Sequence, residues 1–90
     1  MLESNIEQAC TKYANSRDIV CVKLNRLIGL PDKVFLRYGK LFFVEFKRPG
    51  QEPRKIQIYW HELLRRHNFN VYVVNNFKQF TEILDNEFFK

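Results

Sequence analysis

The fold of this 90-residue chain is decided by residues 29–47, with the sequence GLPDKVFLRYGKLFFVEFK. Two apolar runs flank the dipeptide Tyr38-Gly39, and this pattern predicts two antiparallel strands joined by a tight turn. A loop of two or four residues places Arg37 opposite Lys40. The register of the whole hairpin follows from that one pairing.

In that register, one face of the hairpin ends in two carboxylates. Val34 faces Phe43, and Asp32 faces Glu45 at the end away from the turn. A slip of one residue would place Asp32 opposite Phe46 and would mix the residues of the two faces. The hydrophobic pattern therefore favours the register that brings the two acids together.

Asp32, Glu45 and Lys47 form the strongest candidate for a functional site. Glu45 and Lys47 are two residues apart on one strand, so both side chains point to the same face. Facing residues have carbon-β atoms roughly 5 Å apart, and two carboxylates at that distance repel unless a proton or a cation separates them. Mg²⁺ or Mn²⁺ meets that need, with Lys47 beside it to orient a water or neutralise a phosphate. The alternative from spacing alone is a cross-strand ion pair on the surface.

The other elements complete an α/β chain with a mixed β-sheet flanked by helices, in the order α-β-β-β-α-β-α. Residues 3–16 carry apolar side chains at helical spacing, and Ser4 with Glu7 predicts a capping box at the helix start. Residues 19–24 and 70–74 are short β-branched runs, which are typical of strands.

Two more helices are expected after the hairpin. The first runs from Pro53 to about Asn68 and is predicted to turn an apolar stripe inward. That stripe consists of Ile56, Trp60, Leu63 and Leu64. Asn76 can cap the last helix, with Gln79 three residues later. The aromatic stripe of this last helix either docks on the chain's own sheet or covers a dimer interface.

Length, composition and charge limit the classes of protein to which this chain can belong. The chain fits one small domain, residues 1–90, and its size makes a homodimer a reasonable expectation. It lacks an apolar run of the roughly 20 residues that span a bilayer, and acidic residues interrupt its start, so we expect an intracellular protein with no membrane partner. The net charge of +5 makes a polyanionic partner plausible. Cys10 and Cys21 form no metal pattern and are expected to be reduced thiols.

Five stretches follow one another in an order that carries a family resemblance. They are Glu3-Ser4-Asn5-Ile6-Glu7, Gly29-Leu30-Pro31-Asp32, Val44-Glu45-Phe46-Lys47-Arg48-Pro49-Gly50, Gln57 and Val71-Tyr72-Val73-Val74. The ordered set resembles the VRR-NUC domain of the PD-(D/E)XK nuclease superfamily, in the short standalone form typical of phages. The resemblance covers nearly the whole chain and implies a restriction-endonuclease-like core. It also implies a virus-encoded protein that acts in the host cytoplasm.

The resemblance implies a role for each site residue. Asp32 and Glu45 would bind Mg²⁺ or Mn²⁺, together with the backbone carbonyl of Phe46. Lys47 would be the catalytic lysine. Gln57 would support the site from the helix that follows.

A third acid is implied on the first helix. Glu3 would complete the site and could hold a water or a second metal. The family has a glutamine where this chain has Glu7, so Glu7 is the substitute candidate. The capping-box assignment of Glu7 favours Glu3.

Basic residues near the catalytic strand are candidates for holding DNA phosphates. Arg48 follows that strand directly, Arg54 and Lys55 lie in the next loop and helix start, and Lys33 lies beside Asp32. Arg65 and Arg66 are weaker candidates. The alternative for all of them is an ordinary solvated surface.

One further motif is similar to a zinc site. The segment His61-Glu62-Leu63-Leu64-Arg65 resembles HExxH but ends in arginine, so zinc is not predicted. His67 points about 240° away around the helix and cannot share a metal with His61.

The sequence therefore predicts a metal-dependent endonuclease that hydrolyses phosphodiester bonds in DNA and uses no small-molecule cofactor. The resemblance implies structured DNA, with four-way (Holliday) junctions as the leading substrate and a homodimer that cuts two strands. The alternative is a catalytically weak module that binds branched DNA and needs a partner for activity. RNA as the substrate remains open.

Overall fold

The computed structural model describes residues 2–90 and contains seven elements in the predicted order. Their bounds are α1 (Glu3–Ser16), β1 (Val20–Lys23), β2 (Lys33–Arg37), β3 (Lys40–Phe46), α2 (Lys55–Arg66), β4 (Val71–Val74) and α3 (Phe77–Phe88). The strands form one mixed sheet in the order β1-β2-β3-β4, in which only β3 and β4 are parallel. The predicted α/β class and element order are confirmed. No helix within residues 2–90 is long and apolar enough to cross a membrane.

The hairpin of β2 and β3 has the predicted register. Arg37 pairs with Lys40, and Val34 pairs with Phe43. Tyr38 and Gly39 have φ values of 45° and 80°, and two positive φ angles are what a type I′ turn requires. The turn therefore fixes the register that continues toward Asp32 and Glu45.

One face of the sheet carries the aromatic core. Phe35, Phe42 and Phe46 are fully buried there, beneath α1 and α3. The Phe35 ring lies 5.5 Å from the Phe42 ring and 5.0 Å from the Phe80 ring of α3. Phe80, Leu84 and Phe88 are all buried, so the stripe of α3 docks on the chain's own sheet.

The start of α3 has the predicted cap. The Gln79 backbone N–H donates to Asn76 Oδ1 at 2.8 Å. The Gln79 side chain in turn accepts from the Asn75 N–H and donates to the Val73 carbonyl. These bonds tie α3 to the end of β4.

The capping box predicted for α1 is wrong. The helix already begins at Glu3, so Ser4 lies inside its first turn and cannot act as the residue before it. Within the described chain, no side chain caps this helix start. Glu7 is therefore free to make contacts across to the sheet, which are described below.

The inward face predicted for α2 is also wrong. The buried residues of α2 are Gln57 and His61, whereas Ile56 is 42% exposed and Trp60 is only half-buried. Leu63 and Leu64, the rest of the predicted stripe, are half-buried. The helix covers the end of the sheet that carries Glu45, so it turns polar side chains toward a polar surface. The helix α2 spans Lys55–Arg66, so it begins two residues later and ends two residues earlier than predicted.

Candidate metal centre and nucleic-acid interface

The turn before β2 packs closely on α2. Gly29 has a φ of 97°, and a carbon-β there would lie 2.6 Å from Ile56 Cγ1 and 2.8 Å from Trp60 Cδ1. Only glycine allows this approach in that backbone conformation. Pro31, which follows, is fully buried. The turn thus delivers Asp32 to a fixed position beside α2 and β3.

Asp32 connects the end of β2 to β3 through its side chain. Its Oδ2 accepts the Phe46 backbone N–H at 2.7 Å. Burial is the largest influence on its acidity and raises the pKa of Asp32 to about 7, against the lowering effect of the Phe46 N–H. The negative charges of Glu45 and Glu7 also raise this pKa. The two carboxylates of Asp32 and Glu45 are therefore close enough to repel each other, as the register predicts.

Glu45 is buried, with 1% of its surface exposed. Its Oε2 accepts from Gln57 Nε2 at 3.1 Å and lies 3.9 Å from Lys47 Nζ. The Gln57 oxygen accepts the Arg54 backbone N–H at 2.7 Å, which fixes this side chain at the start of α2. A buried carboxylate with one nearby ammonium group is costly to fold around and is typical of a functional site.

His61 is part of this cluster, and the sequence reasoning missed it. Its Nε2 lies 3.6 Å from Glu45 Oε1, and its side chain is almost fully buried. His61 follows Gln57 by four residues, so the two share one face of α2. That spacing was the available signal, but the apolar stripe predicted that a neighbouring face of the helix points inward.

The two acids of α1, Glu3 and Glu7, contact different parts of the protein. Glu7 Oε2 is 3.0 Å from Lys23 Nζ and 3.4 Å from Lys33 Nζ, and its charge reaches Asp32. Glu3 lines a surface cavity of about 350 Å³ together with Arg48. Across residues 2–90, the acids, cysteines and histidines do not form any group of three or more suited to hold a metal ion. The two carboxylates of Asp32 and Glu45 are the pair that the fold brings together.

The basic candidates divide into two groups. Arg48, Arg54 and Lys55 are exposed at the same end of the sheet as Lys47. Lys33 differs from these residues, because its Nζ donates to Thr11 at 2.7 Å and pairs with Glu7. These internal contacts compete with a DNA phosphate for the Lys33 ammonium group.

Arg65 also has an internal partner. Its guanidinium donates to the carbonyl of Val71 at 2.6 Å, which ties α2 to β4. The first group, Arg48, Arg54 and Lys55, therefore forms the basic patch, and this name is kept below.

Comparison with known proteins gives an informative likeness to a solved structure. No protein-family model matches the chain, and no curated protein sequence matches it. A solved structure described as "VRR_NUC domain" superposes on the chain with a TM-score of 0.85 and 27% sequence identity. The match covers 96% of this chain and 97% of that chain. Together with the order of elements and the paired acids, this likeness confirms the resemblance found in the sequence: over nearly its whole length, the chain is similar in fold to a VRR-NUC domain.

Proposed function

We propose that this protein is an endonuclease that hydrolyses phosphodiester bonds in DNA and depends on Mg²⁺ or Mn²⁺. The VRR-NUC fold supports a nuclease. The pair Asp32 and Glu45 carries the metal dependence, because the two charges meet where burial already raises the pKa of Asp32 to about 7. A cation between these carboxylates would remove their repulsion.

The donors at the site fit a hard divalent cation. The ligands we propose are the carboxylates of Asp32 and Glu45 with the backbone carbonyl of Phe46, and Mg²⁺ takes one or two carboxylates and keeps several waters. The N–H and C=O of one strand residue point to the same side. Since the Phe46 N–H donates to Asp32, its carbonyl faces the same region. When bound, such an ion makes water a better nucleophile and stabilises negative charge on a phosphate.

Lys47 and Gln57 are proposed to act beside these ligands. The Lys47 ammonium is largely buried and lies 3.9 Å from Glu45, so it can orient the attacking water and stabilise charge on the phosphate. Gln57 holds one Glu45 oxygen while its own oxygen is fixed by the Arg54 N–H. This bond restricts the Glu45 carboxylate to one orientation.

The third acid is proposed to come from α1. Glu3 is the residue implied by the family resemblance, and Glu7 is the substitute. The contribution of Glu7 to the raised pKa of Asp32 supports the substitute. Separate Glu3→Gln and Glu7→Gln variants should differ in cleavage rate, and the slower variant identifies the acid that serves the site.

The basic patch is proposed to hold phosphates beside the cut. Arg48, Arg54 and Lys55 flank the strand and helix that carry Lys47 and Gln57, so a DNA backbone on the patch would pass the catalytic residues. Branched DNA, with four-way junctions first, is the substrate that we propose.

A homodimer is proposed because paired cuts on two strands require two sites. The sheet face opposite the aromatic core is incompletely covered, and Val20 on the edge strand β1 is 58% exposed. This apolar face supports contact with a second copy. Sedimentation at micromolar concentration should show a dimer, and Val20→Glu should shift it to monomer. Wild type that sediments only as monomer would contradict the dimer.

Calorimetry with Mn²⁺ tests the proposed metal site. Wild type should bind the ion, Asp32→Ala should lose that binding, and Asp85→Ala should keep it, because Asp85 lies on α3 near Arg17. Equal Mn²⁺ binding by wild type and Asp32→Ala would mean that Asp32 and Glu45 do not form a metal site.

A further inference from the structure

Two buried polar atoms face each other between α2 and β3. Glu45 Oε1 and His61 Nε2 are 3.6 Å apart, and neither has a hydrogen-bond partner among residues 2–90. His61 is 2% exposed and Glu45 is 1% exposed. Buried polar atoms without partners are rare, so this pair requires an explanation.

A single hydrogen bond would satisfy both atoms. A distance of 3.6 Å is too long for that bond, but a shift of about half an ångström by either side chain gives an ordinary one. The imidazole must then carry its proton on Nε2, because Glu45 Oε1 can only accept. Gln57 already donates to the other oxygen of Glu45. Gln57 and His61, one turn apart on α2, would thus each donate a hydrogen bond to a different oxygen of the Glu45 carboxylate.

A carboxylate that accepts these two hydrogen bonds can still bind a cation. Each carboxylate oxygen has two acceptor positions, so an oxygen that accepts one N–H keeps a second position free. Groups that hold a metal-binding carboxylate in place typically affect metal affinity by about 10–100-fold when they are removed. Within the described chain, His61, Asp32 and Glu45 do not form a group of three side chains suited to hold a metal ion.

We infer that His61 is a positioning residue that orients the Glu45 carboxylate by donating its Nε2–H to Oε1. The inference rests on the proposed metal-dependent nuclease function and assigns to that site a residue outside the ligand and lysine set. His61 acts through Glu45 and has no contact of its own with the substrate.

Three substitutions at this position separate positioning from packing. His61→Gln places an amide N–H about where Nε2 stands, His61→Asn places one near Nδ1, and His61→Leu keeps the bulk without a donor. Calorimetry with Mn²⁺ should show affinity reduced about 10–100-fold in His61→Leu and His61→Asn. His61→Gln should restore it to within about threefold of wild type, since the donor is back in place.

The outcomes distinguish this inference from the proposed function. Wild-type Mn²⁺ affinity in His61→Leu would overturn the positioning role and leave the nuclease proposal standing. Equal loss in His61→Leu and His61→Gln would also overturn it, because a metal-ligating or packing role for the ring would then be indicated. If the wild type binds no Mn²⁺, both proposals are wrong.

A measurement on the unaltered protein covers the case in which a variant fails to fold. Long-range proton–nitrogen NMR spectra report which imidazole nitrogen carries the proton, and His67→Gln assigns the signals because the chain has only two histidines. The expected result is a proton on Nε2 of His61. An unprotonated Nε2 in His61, with the proton on Nδ1, would overturn the inference.

Discussion

Replacing Asp32 with asparagine should stabilise the metal-free protein while removing the proposed metal site. The introduced amide keeps one oxygen to accept the Phe46 N–H. Its nitrogen becomes a donor beside Glu45, where the wild type has a second negative charge. Asp32→Asn therefore replaces a repulsion with a hydrogen bond in a half-buried setting.

The size of this effect follows from the pKa of Asp32, which rises from 3.8 to about 7 in the folded protein. A tenfold change in proton affinity corresponds to about 1.4 kcal/mol, so the full difference corresponds to about 4 kcal/mol at a pH above 7. Solvent screening at this partly exposed carboxyl reduces the expected value to about 1–2 kcal/mol.

The effect should depend on pH in one direction. The unfolded chain releases the Asp32 proton near pH 3.8, and the folded chain releases it near pH 7. Between these values the folded state holds a proton that the unfolded state has lost, so rising pH favours unfolding. The stability advantage of Asp32→Asn over wild type should therefore grow from about pH 4 and be complete above about pH 7.

Denaturant unfolding in EDTA at pH 5 and pH 8 measures this advantage. Asp85→Asn is the matched control on α3 and should change the free energy of unfolding by less than about 0.5 kcal/mol at either pH. Adding Mn²⁺ at pH 8 should stabilise wild type but not Asp32→Asn, because the ion binds the ionised carboxylate. The reasoning is refuted if Asp32→Asn is no more stable than wild type at pH 8, or if its advantage does not change with pH.

Two further predictions concern the turn before β2 and the basic patch. Gly29→Ala should destabilise the fold by about 3 kcal/mol, because the added carbon-β meets α2 at a positive φ. Gly50→Ala, also at a positive φ but with no other described atom within 4 Å, should cost about 1 kcal/mol; equal losses in chemical unfolding would contradict the close packing. Arg54→Ala with Lys55→Ala should weaken DNA binding and reduce the slope of log affinity against log salt by about 2. Lys40→Ala, at the far turn of the hairpin, should leave the slope unchanged, and an unchanged slope in the double variant would remove the patch from the account.

The hairpin and the paired acids were predictable because local pattern determines them. The turn at Tyr38-Gly39 and the alternation of apolar residues admit one register, and that register alone brings Asp32 near Glu45. The cap of α3 by Asn76 was predictable for the same reason, since its partner is three residues away.

The orientation of α2 was not predictable from its own residues. Hydrophobic periodicity assumes that a helix buries its apolar side, and that assumption fails where the surface beneath the helix is polar. Gln57 and His61 face inward because Glu45 lies beneath them, and this contact joins residues far apart in sequence. The contacts of Glu7 with Lys23 and Lys33 are likewise tertiary, so a local capping rule could not find them.

Cleavage of labelled DNA by the purified protein tests the central claim most directly. A four-way junction, a flap, a plain duplex and a single strand would each be offered with Mg²⁺, Mn²⁺ or EDTA, with Lys47→Ala beside wild type. A matched RNA strand would decide whether DNA is the substrate. The account predicts metal-dependent cleavage by wild type, fastest on the junction, and at least about 100-fold slower cleavage by a folded Lys47→Ala variant. Absence of cleavage by wild type, or equal cleavage by both proteins, would contradict it, and tight junction binding without cleavage would indicate a DNA-binding module.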